Sequence, residues 1–122
     1  MELKEYFEST NGTSVFATAD KDGKVNTAIY SRPHFLEDGT IAIIMLDRLT
    51  HHNLQSNPYA SYLFIEDDPG YKGKRLYLKK IREEQDTELL KSLLRKRYPR
   101  EESKYLVFFS LEKELPLIGD GK

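Results

Sequence analysis

The sequence predicts a mainly-β fold, a closed antiparallel barrel of six strands with flanking helices. Three observations carry this. Short β-branched and aromatic runs recur along the 122 residues. Most are joined by turns of hairpin type. The clearest helical stretch, "EEQDTELLKSLLRKRYP" at residues 83–99, comes just before the last strand.

In chain order, "LKEYFES" (residues 3–9) sets Leu3, Tyr6 and Phe7 at helical spacing, and "TNG" ends that helix. "TSVFATA" (13–19) is the first strand, followed by the hairpin turn "DKDG". "KVNTAIYSRPHFL" (24–36) reads as one long second strand, in which Pro33 cannot donate to a ladder and implies a bulge or an edge. After the turn "EDGT", "TIAIIML" (40–46) is a buried third strand. A short helix within "LDRLTHHNLQSNP" (46–58) leads to the fourth, "YASYLFIED" (59–67). "KRLYLKKI" (74–81) alternates basic and apolar residues, so it is a fifth strand with one wet face. In the 83–99 helix, Leu89, Leu90, Leu93 and Leu94 form an apolar stripe. Acidic residues crowd its start, and Arg95, Lys96 and Arg97 its end, matching the helix dipole. "KYLVFFSLE" (104–112) is the sixth strand. No internal repeat or linker interrupts the chain, so residues 1–122 read as one domain.

Composition narrows the function classes. With 39% hydrophobic and 32% charged residues the chain reads as a soluble globular protein. A net charge of −1 provides no field for nucleic acid or membrane. The absence of cysteine removes disulfides, thiolate chemistry and zinc ribbons. The longest apolar run, "IAIIML", is too short for a bilayer, and the charged start "MELKEYFEST" is no secretory leader, so a cytoplasmic location is expected. A chain of this size buries roughly two-thirds of its unfolded surface at best, and dimerisation is a natural way to add burial.

His34, His51 and His52 do not make a metal site by spacing. His51 and His52 are adjacent and diverge by about 100° on a helix, and no carboxylate stands at the spacing of a zinc motif. A histidine at the helix start facing solvent or a neighbouring strand, and one touching a cofactor, both remain open. No G-x-S-x-G elbow surrounds Ser14, Ser31 or Ser61, and "GYKGK" (70–74) is no phosphate loop. The stretch 46–58 offers a helix start, whose free N–H groups carry partial positive charge. Thr50 is positioned to cap it or to turn its hydroxyl outward, and Arg48 adds a fork of donors. Arg32, Lys74 and Arg75 are cations that a barrel could bring near.

The order of parts from Gly12 to Asp67 resembles the flavin-binding half of the split-barrel flavoproteins, the pyridoxamine 5′-phosphate oxidase-like superfamily. The shared parts are a D-x-D-G turn, a second strand with Pro near its end, a "DG-x-I" turn and an apolar third strand. A cationic stretch then leads into "NLQSNP" (53–58), the most specific piece. The resemblance extends more loosely to nearly the whole chain. It implies a six-stranded antiparallel split barrel of Greek-key type and a homodimer with FMN at the subunit interface. By position, Arg48 and Thr50 would contact the phosphate. Ile44, Met45 and Leu46 would lie along the ribityl chain or ring through backbone groups. Tyr30, Ser31 and Arg32 would approach the isoalloxazine, and the motif residue Asn53 joins this set. Many relatives carry Lys where Thr50 stands, so Arg48, Lys74 or Arg75 would supply the missing charge. The tail "LEKELPLIGDGK" lacks the Arg-x-His segment of the pyridoxal-phosphate-forming oxidases, so that activity is not expected.

The sequence therefore reads as a non-covalent FMN-binding flavoprotein, an oxidoreductase acting on an unidentified small molecule. The alternatives are a non-enzymatic FMN or electron carrier, a binding barrel for haem or a deazaflavin through His34 or His51, and an interaction barrel without cofactor. No nucleic acid or membrane partner is expected.

Overall fold

The computed structural model describes residues 2–94 and 102–120. The elements are α1 (Leu3–Ser9), β1 (Gly12–Ala19), β2 (Val25–Tyr30), β3 (His34–Phe35), β4 (Ile41–Leu46), α2 (Leu49–Ser56), β5 (Tyr59–Glu66), β6 (Gly73–Glu84), α3 (Glu88–Leu93) and β7 (Lys104–Pro116). The strands form one sheet in the order β2-β1-β5-β6-β7-β4-β3, and every pairing is antiparallel. The edge strands β2 and β3 are consecutive in the chain, joined by residues 31–33. Such a link reaches roughly 14 Å, whereas six flat inter-strand gaps would need about 29 Å. The sheet must therefore curl until its two edges nearly meet.

Seven strands stand among the described residues where the sequence predicts six, because the long second strand divides. Residues 31–33 leave the β2 ladder ahead of Pro33, and His34–Phe35 pairs instead with β4 at the opposite edge. Pro33 lacks the N–H that a continuing ladder needs and disfavours helix at Arg32, so the chain switches sheet edges there.

The run "IAIIML" is apolar throughout because both faces of β4 are covered. Ile41, Ile43 and Met45 point into the barrel with Phe16, Tyr62, Leu76, Leu78, Val107 and Phe109. Ala42 and Ile44 pack with Leu106, Phe108 and Leu90 beneath α3. Phe7 of α1 plugs the barrel interior against Phe35, Tyr62 and Phe64. At Gly12 and Gly73, which flank Phe64 and Ile65 on neighbouring strands, any Cβ would overlap a β5 carbonyl. These glycines let three strands approach closely at that end of the barrel.

The helix predicted over residues 83–99 is shorter at both ends, spanning Glu88–Leu93 with Leu94 already extended. Glu83 and Glu84 continue β6 and pair with Val107 and Leu106. The helix begins at Glu88, where the Thr87 side chain accepts a hydrogen bond from Leu90 N at 3.2 Å. Ladder pairing and this cap outweigh the helical preference of the acidic run. Leu89, Leu90, Leu93 and Leu94 do face the barrel; Arg95, Lys96 and Arg97 lie outside the described residues. Among the described residues no helix is long and apolar enough to cross a membrane.

Candidate functional site

Helix α2 sits in the split between the sheet edges, touching β1, β2 and β4. Its N-cap residue is Arg48, not Thr50, and among the described residues no side chain caps its first turn. Thr50 lies one residue inside the helix and is buried, so its hydroxyl is not turned outward as the sequence allows. Arg48 Nη2 forms an ion pair at 2.6 Å with Glu102 Oε2, without hydrogen-bond alignment at that oxygen. Just ahead of Arg48, β3 pairs only with Ile41 and Ala42. Among the described residues, the edge of β4 along Ile44, Met45 and Leu46 thus has no strand on that side, while its other edge is zipped to β7. Asn53, also buried, donates to Thr18 Oγ1 at 3.1 Å and fastens α2 to β1. An open strand edge, an uncapped helix start and a guanidinium therefore lie together at this end of the split.

A second feature lies at the other end. A cleft of about 590 Å³ is lined by Gly12, Thr13, Ser14, Ile29, Tyr30, Ser31, Arg32 and Phe64. Two of these residues are tied to the buried Tyr62, whose Oη is 2.9 Å from the Ser31 carbonyl and 2.6 Å from Ser14 Oγ. A phenol has one proton and the carbonyl can only accept, so Tyr62 donates to Ser31 and Ser14 donates to Tyr62. Arg32 reaches the Glu8 carbonyl and Asn11 Oδ1, both at 3.5 Å.

These two places are the ends of β4. Arg48 stands two residues past its last, Leu46, while His34 and Phe35, just beyond Arg32, pair with its first two. Six extended residues separate them by about 20 Å. Within one chain, then, Tyr30, Ser31 and Arg32 are not brought beside Arg48 and Thr50. Lys74 and Arg75 fall at the cleft end as well, opposite Phe64 and Leu63. Lys74 covers the Tyr6 ring and pairs with Glu114 at 2.8 Å. Arg75 donates to the Pro116 and Gly119 carbonyls. Neither adjoins Thr50 in its own chain.

The histidines part company. His52 is exposed, and His34 lies on the edge strand β3. His51 is buried and stacks on Tyr105 with ring centroids 3.8 Å apart. Its Nε2 lies 3.0 Å and 3.1 Å from the two Glu83 oxygens, and its Nδ1 3.6 Å from Asp47 Oδ1. Carboxylates on opposite ring nitrogens cannot chelate one ion with it. Among the described residues no group of three or more His, Cys, Asp or Glu is arranged to hold a metal.

Glu83 also accepts from Lys80 at 2.6 Å and Gln55 at 3.1 Å. Partial burial pushes its carboxyl up; the hydrogen bonds from Lys80, Gln55 and His51 outweigh this and lower it from 4.5 to about 2. A lowered folded-state value means stability that is complete above the unfolded value and is lost as pH falls toward 2. The full linkage is on the order of 3 kcal/mol, and solvent reaching the carboxylate reduces it to about 1–2 kcal/mol. Glu83→Gln is therefore expected to lower stability at pH 7 and to flatten its decline between pH 5 and 3. Urea unfolding at each pH measures both; parallel curves for variant and parent would refute the linkage.

No protein-family model and no curated protein matches this sequence. Solved structures do match. An FMN-binding protein from Syntrophomonas wolfei superimposes with a TM-score of 0.73 at 21% identity, covering 95% of this chain and 84% of that one. This is the split-barrel fold. An F420 reductase shares it (TM-score 0.72, 13% identity, 93% and 97% covered). So does HutZ, the heme storage protein of Vibrio cholerae (TM-score 0.60, 19% identity, 91% and 88% covered). The order of strands and turns around "NLQSNP" was thus sufficient to recognise the fold. Sequence reasoning missed Thr13 and Ser14 in the cleft and the Glu83 partner of His51. All are distant in sequence from the motif, and only strand register brings them in.

Proposed function

We propose that the protein binds FMN, non-covalently, in the split of the barrel. The observation that supports this best is the cleft. Its volume of about 590 Å³ falls within the ~300–1,000 Å³ of small-molecule sites. It is bordered by Tyr30, Ser31 and Arg32, the residues that the family resemblance assigns to the isoalloxazine. The open β4 edge supplies backbone donors and acceptors for a ribityl chain. Arg48 and the free N–H groups of α2 suit a phosphate. FMN would supply hydride or single-electron chemistry. Arg32 would place positive charge near the ring, and the protein would orient the cofactor and exclude water.

The two halves of this site lie at opposite ends of one chain, which favours a second copy completing it. The outer sheet face supports that reading. Register aligns Ile29, Val15 and Leu63 in one row across β2, β1 and β5. Val25 and Ile29 are 82% and 72% exposed, and Ile65, Tyr59 and Tyr77 are exposed on the same face. Apolar residues gathered this way mark an interface. Ile29 belongs to both this face and the cleft, so a homodimer built on the face would close the cleft.

The ultraviolet–visible spectrum of the purified protein, with mass spectrometry of whatever heat releases, tests the cofactor. A flavin spectrum and the FMN mass are expected, or else micromolar or tighter uptake of FMN by calorimetry. A Soret band would transfer the reading to haem, and a deazaflavin mass to that cofactor. Binding of neither FMN nor riboflavin would sink the flavin reading. Reduction of bound flavin by NADH or NADPH would mark an oxidoreductase; reduction only by protein partners, a carrier.

A further inference from the structure

We propose that His51, buried between Glu83 and the Tyr105 ring, is a positioning residue that seats the first turn of α2 and so presents Arg48 for anion binding. This rests on the reading of α2 as the phosphate end of the flavin site.

Valence assigns the ring's protons. The Gln55 amide has two hydrogens. One goes to the His51 carbonyl at 3.0 Å and the other to Glu83 Oε1 at 3.1 Å. None is left for His51 Nε2, although Gln55 Nε2 lies 3.1 Å from it. His51 Nε2 therefore carries a proton and donates to Glu83. On the other side Nδ1 faces the Asp47 carboxylate.

The other charged groups around the ring sharpen this. From β6, Lys80 neutralises part of Glu83. Arg82 instead covers Phe108 and pairs with Glu84. From β7, the Tyr105 ring stacks on His51, and Lys104 Nζ donates to the Glu102 carbonyl. On α2 itself His52 is exposed. The first turn of α2 is thus tied at two points: Arg48 to Glu102 at an exposed site, and His51 to Glu83 at a buried one. The buried tie is the one whose loss moves the turn, since exposed ion pairs contribute little.

The test has a ligand arm and a ligand-free arm. FMN and riboflavin affinities are measured at one pH for the parent, His51→Gln and Glu83→Gln. In both variants FMN is expected to bind about tenfold more weakly, a typical coupling between sites, while riboflavin binding stays unchanged. Without ligand, the backbone amide resonances of Arg48 and Leu49 are compared. They should shift in His51→Gln, keep their places in His52→Gln, and shift likewise in Glu83→Gln, which also serves should His51→Gln fail to fold. Parent-like FMN affinity in the variants, equal weakening of both flavins, or first-turn amides that ignore His51 overturns the proposal. First-turn amides that move with His51 in a protein whose parent binds no FMN would overturn the flavin reading and leave the positioning role standing.

Discussion

Arg48→Ala is expected to weaken FMN binding by roughly ten- to a hundredfold and to leave riboflavin binding nearly unchanged. A hydrogen bond to a charged group contributes about 1.5–3 kcal/mol, and each 1.4 kcal/mol is about a tenfold change in Kd. Riboflavin lacks the phosphate, so the pair of ligands isolates the anion contact from general damage to the fold. The ion pair with Glu102 makes a companion prediction. Glu102 occupies the same guanidinium as an incoming phosphate, so Glu102→Gln should strengthen FMN binding while Arg48→Ala weakens it. Thr50→Ala should cost less, about 1 kcal/mol for a neutral donor, and because Thr50 is buried part of that loss would appear in stability. Lys74→Ala and Arg75→Ala report on the other end of the split. Calorimetric titration of each variant with both flavins decides the matter. Undiminished FMN affinity in Arg48→Ala would show that the phosphate is held elsewhere.

The fold was legible because its signals are local. "DKDG" and "EDGT" announce their turns, with Gly23 and Gly39 at φ of 83° and 89°, a conformation that glycine takes without strain. "IAIIML" announces a strand covered on both faces. The division at Pro33 was half-legible: the proline forbade a continuous central ladder, but nothing local says that the next two residues join the opposite edge. Glu83 and Glu84 misled because a carboxylate before a leucine stripe looks like a helix start. Their true role depends on register with Val107 and Leu106 and on Lys80 and His51, which only tertiary structure brings to Glu83. The same holds for the candidate site. Residue types and motif order nominated Arg48 and Tyr30–Arg32, and no sequence signal records that a six-residue strand holds them apart.

That separation motivates the last expectation: the protein is a dimer, and Val25→Asp makes it a monomer that binds FMN poorly. Val25 is suited to the test because it is 82% exposed in the single chain, lies outside the cleft lining, and pairs through its backbone with Ala19. Its replacement should leave the monomer fold intact. Burying an aliphatic side chain at an interface contributes about 1.5–3 kcal/mol, and a two-fold interface contains the position twice. An unpaired carboxylate in its place adds a desolvation cost of several kcal/mol per copy. Together these exceed roughly 4 kcal/mol, enough to raise the dimer dissociation constant about a thousandfold. Light scattering should give a dimer mass for the parent and a monomer mass for Val25→Asp, with matching far-ultraviolet circular dichroism. If the cleft of one subunit is closed by the other, FMN affinity should fall with the dimer and recover partly as protein concentration rises, which a locally damaged site would not do. A parent that is monomeric with flavin bound would remove the interface from the account and leave each chain to hold its ligand alone.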